Sequence, residues 1–326
     1  MSFCFLLVSY TEFFGEDSDF KYFNDIKIRF VANDDTDSFI SNCIFSNLTS
    51  SCAGAIFVDS KRGNIYIGNS VFEFCSSTGN FGGLLLKTLK SDIFIEKVCG
   101  FYCFTPPSTN INGQFGLISV ESTRKTSVQL LSITKCSPFI GNSMVAFSIS
   151  YGNQSYIHNN SSFNRVCRHS GTDFASSKDT QFRFSTISYN DATQWATMEI
   201  MSSYMNMSFS NIIGNNSPHS RGIFIINSAS FVMKNCILLK NQNILFDIRT
   251  NNKFVTIMDS IIDILTRIES YPSTLNVMIT NTQTLKILHL KNANCDAEFT
   301  QEMITRECHY YHNNMIVTAT ILLIIN

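Results

Sequence analysis

Charge is scarce in this sequence. Lys, Arg, Asp and Glu make up 15% of the 326 residues, against roughly a quarter in ordinary soluble domains, and they nearly cancel, leaving a formal net charge of -1. No basic patch or stripe runs through the chain, so nothing recruits nucleic acid electrostatically. Helical periodicity is also missing. No window of ten or so residues sustains apolar positions at i, i+3 and i+4, which excludes helical bundles and helical solenoids. The regular Leu framework of a leucine-rich repeat is absent too. The C-terminal apolar run, Met315 to Ile325, would reach only about 16 Å as a helix, against a bilayer core of about 30 Å.

What is present is a recurring phrase, aliphatic-x-aliphatic-x-Asn-x-aliphatic-aromatic. It is clearest in Asn42-Cys43-Ile44-Phe45, Asn69-Ser70-Val71-Phe72 and Asn235-Cys236-Ile237-Leu238. With the Asn slot as anchor, the repeat falls at Asn42, Asn69, Lys97, Leu130, Asn160, Ser185, Asn211, Asn235 and Asp259. Repetition at 24 to 33 residues marks a solenoid. Each unit carries a second apolar run, often opened by Gly, as in Gly54-Ala55-Ile56-Phe57-Val58 and Gly222-Ile223-Phe224-Ile225-Ile226. Short runs rich in Ile, Val and Phe between Gly, Asn and Ser are strands. The spacing therefore predicts an all-β chain, a single-stranded right-handed parallel β-helix of about nine to eleven coils.

The Asn slot has a structural reason. Asn tolerates the left-handed backbone needed where one strand bends into the next, and stacked amides hydrogen-bond between coils. Asn42, Asn69, Asn160, Asn211 and Asn235 are accordingly expected to form a structural ladder. Cys75, Cys103 and Cys136 share a slot six residues after successive anchors, and Cys43 and Cys236 share another. Buried thiol ladders are the reading for both.

Four segments follow. Residues 1–36 are an N-terminal segment, either a weak secretory signal without the basic region such signals carry or a capping strand. The acidic stretch from Glu12 to Asp25 and the short Asn33-Asp34-Asp35-Thr36-Asp37 are expected in solvated turns before the first clear coil. Residues 37–290 form the β-helix. Residues 291–314 hold Cys and His, and 315–326 form an apolar tail, read as a truncated membrane anchor or a terminal capping strand. Asn47, Asn153, Asn159, Asn160, Asn206 and Asn215 open N-x-S/T sequons and are expected at turns, where a glycan fits. Cys295 and Cys308 lie outside the repeats and are the disulfide candidates of an oxidising compartment. Cys295, Cys308, His309 and His312 are zinc-ligand types within a short span, but the paired spacing that zinc prefers is missing. No metal or cofactor is assigned.

An enzyme on this scaffold would need paired carboxylates. Asp247, Arg249, Asp259 and Asp263 form the one local collection of charge near the coil strands, and no catalytic residue is assigned. The Asn-Thr-Asp, Asp-Asp, Gly-His-Gly and Arg-Ile-Lys set of polygalacturonase-like enzymes is absent, although the coil length resembles that of the pectin lyase-like families. The order Phe39-Ile40-Ser41-Asn42 before Gly54-Ala55-Ile56, and Phe72 before Gly82-Gly83-Leu84-Leu85, resembles the alternating Phe-x-x-Asn and Gly-Gly-Ala-Ile motifs of polymorphic outer-membrane proteins. Phe139-Ile140-Gly141-Asn142 and Phe224-Ile225-Ile226-Asn227 repeat the first motif. No complete Gly-Gly-Ala-Ile occurs. The resemblance covers residues 37 to 266 and implies a surface-displayed, adhesin-like β-helix.

The expected function is a non-enzymatic interaction scaffold at the cell surface or outside the cell, with a protein or glycan ligand and the C-terminal tail as membrane contact. Binding is expected in the longest inter-strand excursions, Thr105 to Gln114 and Arg168 to Gln181, because loops vary while coils must stack. Two alternatives stand beside it: a carbohydrate-active enzyme of the lyase or hydrolase type, and a structural spacer that self-associates through its terminal strand edges.

Overall fold

The structure, a computed structural model, describes residues 9–15, 20–24, 26–33, 35–106, 115–136, 145–166, 168, 170–175, 178–201, 204–218, 221–227, 230–249, 255–262, 273–275, 278–279, 285, 287, 289, 295, 304–312 and 315–323. It is a parallel β-solenoid. Every inter-strand pairing of the coil body is parallel and joins strands one coil apart. One wall is an 18-stranded sheet and the other a 9-stranded sheet in simple sequential order from Phe30–Ala32 to Phe246–Ile248, which makes about eight full turns rather than nine to eleven. A third short side appears where Thr49–Ser50 pairs with Ser76–Ser77 and Arg165–Val166 with Asp191–Ala192. Among the described residues the one helix is Tyr10–Phe14, closed at its start by reciprocal Ser9 and Glu12 hydrogen bonds.

Alternation sorts side chains into ladders along the rod. Ile40, Ile67, Ile95, Val128, Tyr156, Phe182, Met207, Met233 and Ile257 stand in register and are all buried. Opposite them, Ile56, Leu84, Phe147, Met198, Phe224 and Phe246 line the interior of the second wall. Where Gly100 interrupts a ladder of large residues, the Phe115 ring fills the space. A Cβ at Gly100 would lie 2.4 Å from that ring. The Gly that opens the second run serves close approach between coils: a Cβ on Gly54 would lie 2.1 Å from the Gly82 carbonyl oxygen.

Each coil bends through two left-handed corners five residues apart. The first corner is Asn42, Asn69, Lys97, Leu130, His158, Phe184, Phe209, Asn235 or Asp259, all with φ between 46 and 55°. The second is Asn47, Phe74, Tyr102, Lys135, Phe163, Tyr189, Gly214 or Lys240. The expected anchors at Asn42, Asn69, Lys97, Leu130, Asn235 and Asp259 are correct. Asn160, Ser185 and Asn211 are not corners; they lie two, one and two residues beyond them. At Asn160 and Asn211 the two-residue shift preserves the inward and outward alternation, so flanking apolar residues could not detect it. His158, Phe184 and Phe209 hold their corners by ring stacking, with centroids 5.1 and 5.2 Å apart and rings nearly parallel at 14°.

The buried amide ladder occupies a different slot, the residue after the second corner. Asn164, Asn190, Asn215 and Asn241 stack there. Each backbone N–H of Asn164, Asn190 and Asn215 donates to the side-chain oxygen one coil on, at 3.0, 3.1 and 3.1 Å. The matching side-chain amides donate to the same oxygens and to wall carbonyls. Upstream the slot is filled by Cys136, Cys103 and Cys75, so the predicted thiol ladder exists and runs directly into the amide ladder, with Cys136 N–H donating to Asn164 Oδ1. The neighbouring Cys103 thiol, and then burial, raise the Cys75 thiol well above its usual range; burial raises Cys103 and pushes Cys236 up to about 12. Cys43 and Cys236 share the slot after the first corner, where Ser70 and Ser260 hydroxyls accept their N–H groups.

The ladder begins before residue 37, since Lys21–Asn24 pairs with Ser38–Ser41. Phe13, Phe14 and Phe20 cover the outward stack of Phe39, Tyr66 and Phe94. Asp35 and Asp37 lie between the strands Phe30–Ala32 and Ser38–Ser41, and their carboxylates accept N–H groups of Lys61, Arg62 and Asn64 and so fix the next coil. The last rung pairs Ser273–Leu275 and Met278–Ile279 with the preceding coil. The chain then returns along the outside. Leu285 exchanges two hydrogen bonds with the Asn211 side chain, His289 meets Thr186, and Cys295 is bonded to Cys99. Asn211, Thr186, Ser132 and Cys99 share one register slot, so this strap runs antiparallel to coil order.

That path corrects two expectations. Cys295 pairs with Cys99 rather than with Cys308, because the strap carries it across the rod to an early coil; Cys308 lies on Ile304–His312. Among the sequons, Asn159, Asn160 and Asn215 are buried and make hydrogen bonds inside the fold, so a glycan does not fit there. Asn47 and Asn153 are exposed and Asn206 is half-buried. The tail Met315–Leu323 is extended, paired antiparallel with Ile304–His312. Among the described residues no helix is long and apolar enough to cross a membrane.

Candidate functional site

The outer flank of the second wall changes character along the rod. Its central outward slot reads Phe57, Leu85, Leu117, Ser148, Asp173, Glu199, Ile225 and Asp247. The early positions pack with Ala53, Phe81 and Val145, whereas the later coils place carboxylates on the same strip. Ser148 donates to Asp173 at 3.0 Å, Asn227 donates to Glu199, and Arg249 Nε meets Asp247 at 3.0 Å. Asp173 and Glu199 are buried and stand on adjacent coils.

Beside this strip lies Trp195, the single Trp of the chain. Arg168, Trp195 and Arg221 each lead into the wall strand of successive coils, Thr172–Ala175, Met198–Ile200 and Phe224–Ile226. Coil stacking at about 4.8 Å therefore brings the Arg168 and Arg221 guanidinium ions, from the coils before and after, to 5.1 and 5.0 Å from the indole centroid. Arg249, just past Phe246–Ile248, approaches at 4.5 Å. Each such contact is worth about 0.5–2 kcal/mol, depending on desolvation. Stacking occupies the faces of the guanidinium ions and leaves their edge N–H groups for hydrogen bonds.

The four charged residues read from the sequence do not converge. Asp247 and Arg249 pair on the second wall, Asp259 is a corner of the first wall with Lys234 at 4.0 Å, and Asp263 lies outside the described residues. Asp173 and Glu199 were missed. Their signal was a carboxylate at the middle of a short apolar strand, Thr-Asp-Phe-Ala and Met-Glu-Ile. Of the two expected excursions, most of Thr105 to Gln114 lies outside the described residues. Arg168 to Gln181 is not an insertion, because it contains the wall strand Thr172–Ala175 and the start of Asp179–Arg183.

A concavity of about 740 Å³ opens on the early coils, lined by Asn33, Asp35, Asp59, Lys61, Lys87 and Tyr151 among others. Its Asp35 oxygen is committed to two backbone N–H groups. Among the described residues no group of three or more His, Cys, Asp or Glu side chains is placed to hold a metal ion. No protein-family model matches the chain, and no curated protein matches it.

Proposed function

We propose that this chain is a non-catalytic interaction scaffold of the cell exterior, a β-solenoid rod that presents a binding surface on the outer flank of its second wall. The observation that carries the reading is the layering of Arg168, Trp195 and Arg221 from three successive coils, with Arg249 beside them. A large aromatic flanked by Arg is the composition of binding hot spots, and nothing in coil stacking requires it. The Cys99–Cys295 bond supports an oxidising compartment. Display at a surface, and membrane contact through the tail, belong to the same proposal. The test is a glycan and protein array probed with the intact chain and with Trp195→Ala; signals that the variant loses support the reading, and identical profiles refute it.

Asp173 and Glu199 favour a second reading, a carbohydrate-active enzyme. Its test is cleavage of a polysaccharide panel by the chain and by Asp173→Asn and Glu199→Gln. Hydrolysis or elimination abolished in both variants would support it over the scaffold.

A further inference from the structure

We propose that the guanidinium–indole stack at Trp195 binds sulfate monoesters carried on a glycan, a proposal that rests on reading the second-wall flank as the binding surface. Arg168 and Arg221 have no carboxylate within ion-pair distance among the described residues; what holds them is the indole. Arg249 gives its Nε to Asp247, while its terminal Nη2 is enclosed without a hydrogen-bond partner. The nearby carboxylates are engaged elsewhere, Asp173 with Ser148 and Glu199 with Asn227.

Three guanidinium ions lie within 4.5 to 5.1 Å of one indole centroid, which brings them close to one another. Like charges held that close repel, and an anion between them removes the penalty. Three of the ten arginines meet at one Trp in a chain whose charges otherwise nearly cancel. Three sets of N–H donors from three coils match an anion with three terminal oxygens better than a carboxylate with two. Sulfate and phosphate monoesters both have that shape. The disulfide that ties the strap to the rod favours an oxidising exterior, where the tetrahedral oxyanion displayed on polymers is the sulfate ester of glycans.

The experiment is calorimetric titration of the intact chain with a heparin hexasaccharide, its fully desulfated counterpart, hyaluronan oligosaccharides and inorganic phosphate. Arg168→Gln and Arg221→Gln are compared in parallel, with circular dichroism and melting temperature confirming that both fold. The expected result is binding of the sulfated hexasaccharide alone, weakened about ten-fold by each substitution, with the slope of log Kd against log salt reduced by about one per Arg removed. Equal affinity for the desulfated sugar, or unchanged affinity in both variants, overturns the proposal. Hyaluronan binding that matches the sulfated sugar and falls in the variants overturns the sulfate assignment and leaves the flank as a binding surface. Phosphate binding as tightly as the hexasaccharide overturns the glycan assignment. If no probe binds, the sulfate proposal fails, and array signals lost in Trp195→Ala keep the scaffold reading separate from it.

Discussion

Replacing Asn190 by Ala would remove the central rung of the buried amide ladder. The Asn190 side chain accepts the Asn164 backbone N–H at 3.0 Å and donates to the Ser161 carbonyl at 2.8 Å. Both groups are buried, and Ala leaves each short of a partner. At about 1–3 kcal/mol for an orphaned buried group, the loss is about 2–6 kcal/mol. Asn69→Ala is the control. Asn69 is an exposed corner with φ 46°, and its cost is bounded by the left-handed penalty of about 1–2 kcal/mol. Urea unfolding gives the stabilities, and native-state amide exchange reports the neighbouring coils directly, which matters in a solenoid whose repeats contact only their neighbours. The Asn164 amide should lose protection first. The double variant Asn164→Ala/Asn190→Ala should cost less than the two single losses added, because the partners vanish together. A loss for Asn190→Ala no greater than that for Asn69→Ala would refute the assignment of the ladder.

Gly100→Val places a branched side chain where the Phe115 ring already sits; a drop of several degrees in melting temperature, or failure to fold, is expected, as overpacking costs about 1–3 kcal/mol or more. The strap should be acid-labile. Burial pushes the His289 imidazole down to about 3, with His158 close by, while a free His titrates near 6.5. Docking is therefore complete above about pH 7 and is lost as pH falls from 6.5 towards 3, by about 2 kcal/mol at pH 5. Protection factors of the Leu285 and Ile287 amides, corrected for the intrinsic pH dependence of exchange, should fall between pH 7 and pH 5 and stay constant in His289→Gln. In a eukaryotic secretory host, glycopeptide mass spectrometry should find occupancy at Asn47 or Asn153 and none at Asn159, Asn160 or Asn215, because the last three are buried.

The solenoid was legible because alternation and coil spacing repeat in the sequence itself, and Leu130 was placed correctly by its apolar flanks alone. The corners at His158, Phe184 and Phe209 were not, since ring stacking between coils replaces the Asn preference there and only the three-dimensional register shows it. The thiol ladder was visible as a fixed offset from the anchors. Its continuation into Asn164, Asn190, Asn215 and Asn241 was hidden by the slip of the anchors at Asn160, Ser185 and Asn211. The flank at Trp195 escaped for a related reason: Arg168, Trp195, Arg221 and Arg249 are separated by more than twenty residues each, and coil stacking alone makes them neighbours.

One register places the strap over an early coil and brings Arg168, Trp195 and Arg221 together on the flank. Peptide mapping of the unreduced protein by mass spectrometry tests it most directly. The expected result is a peptide containing Cys99 linked to one containing Cys295, across 196 residues of sequence. A Cys295–Cys308 link, or free thiols at both Cys99 and Cys295 in protein recovered from an oxidising compartment, would contradict it.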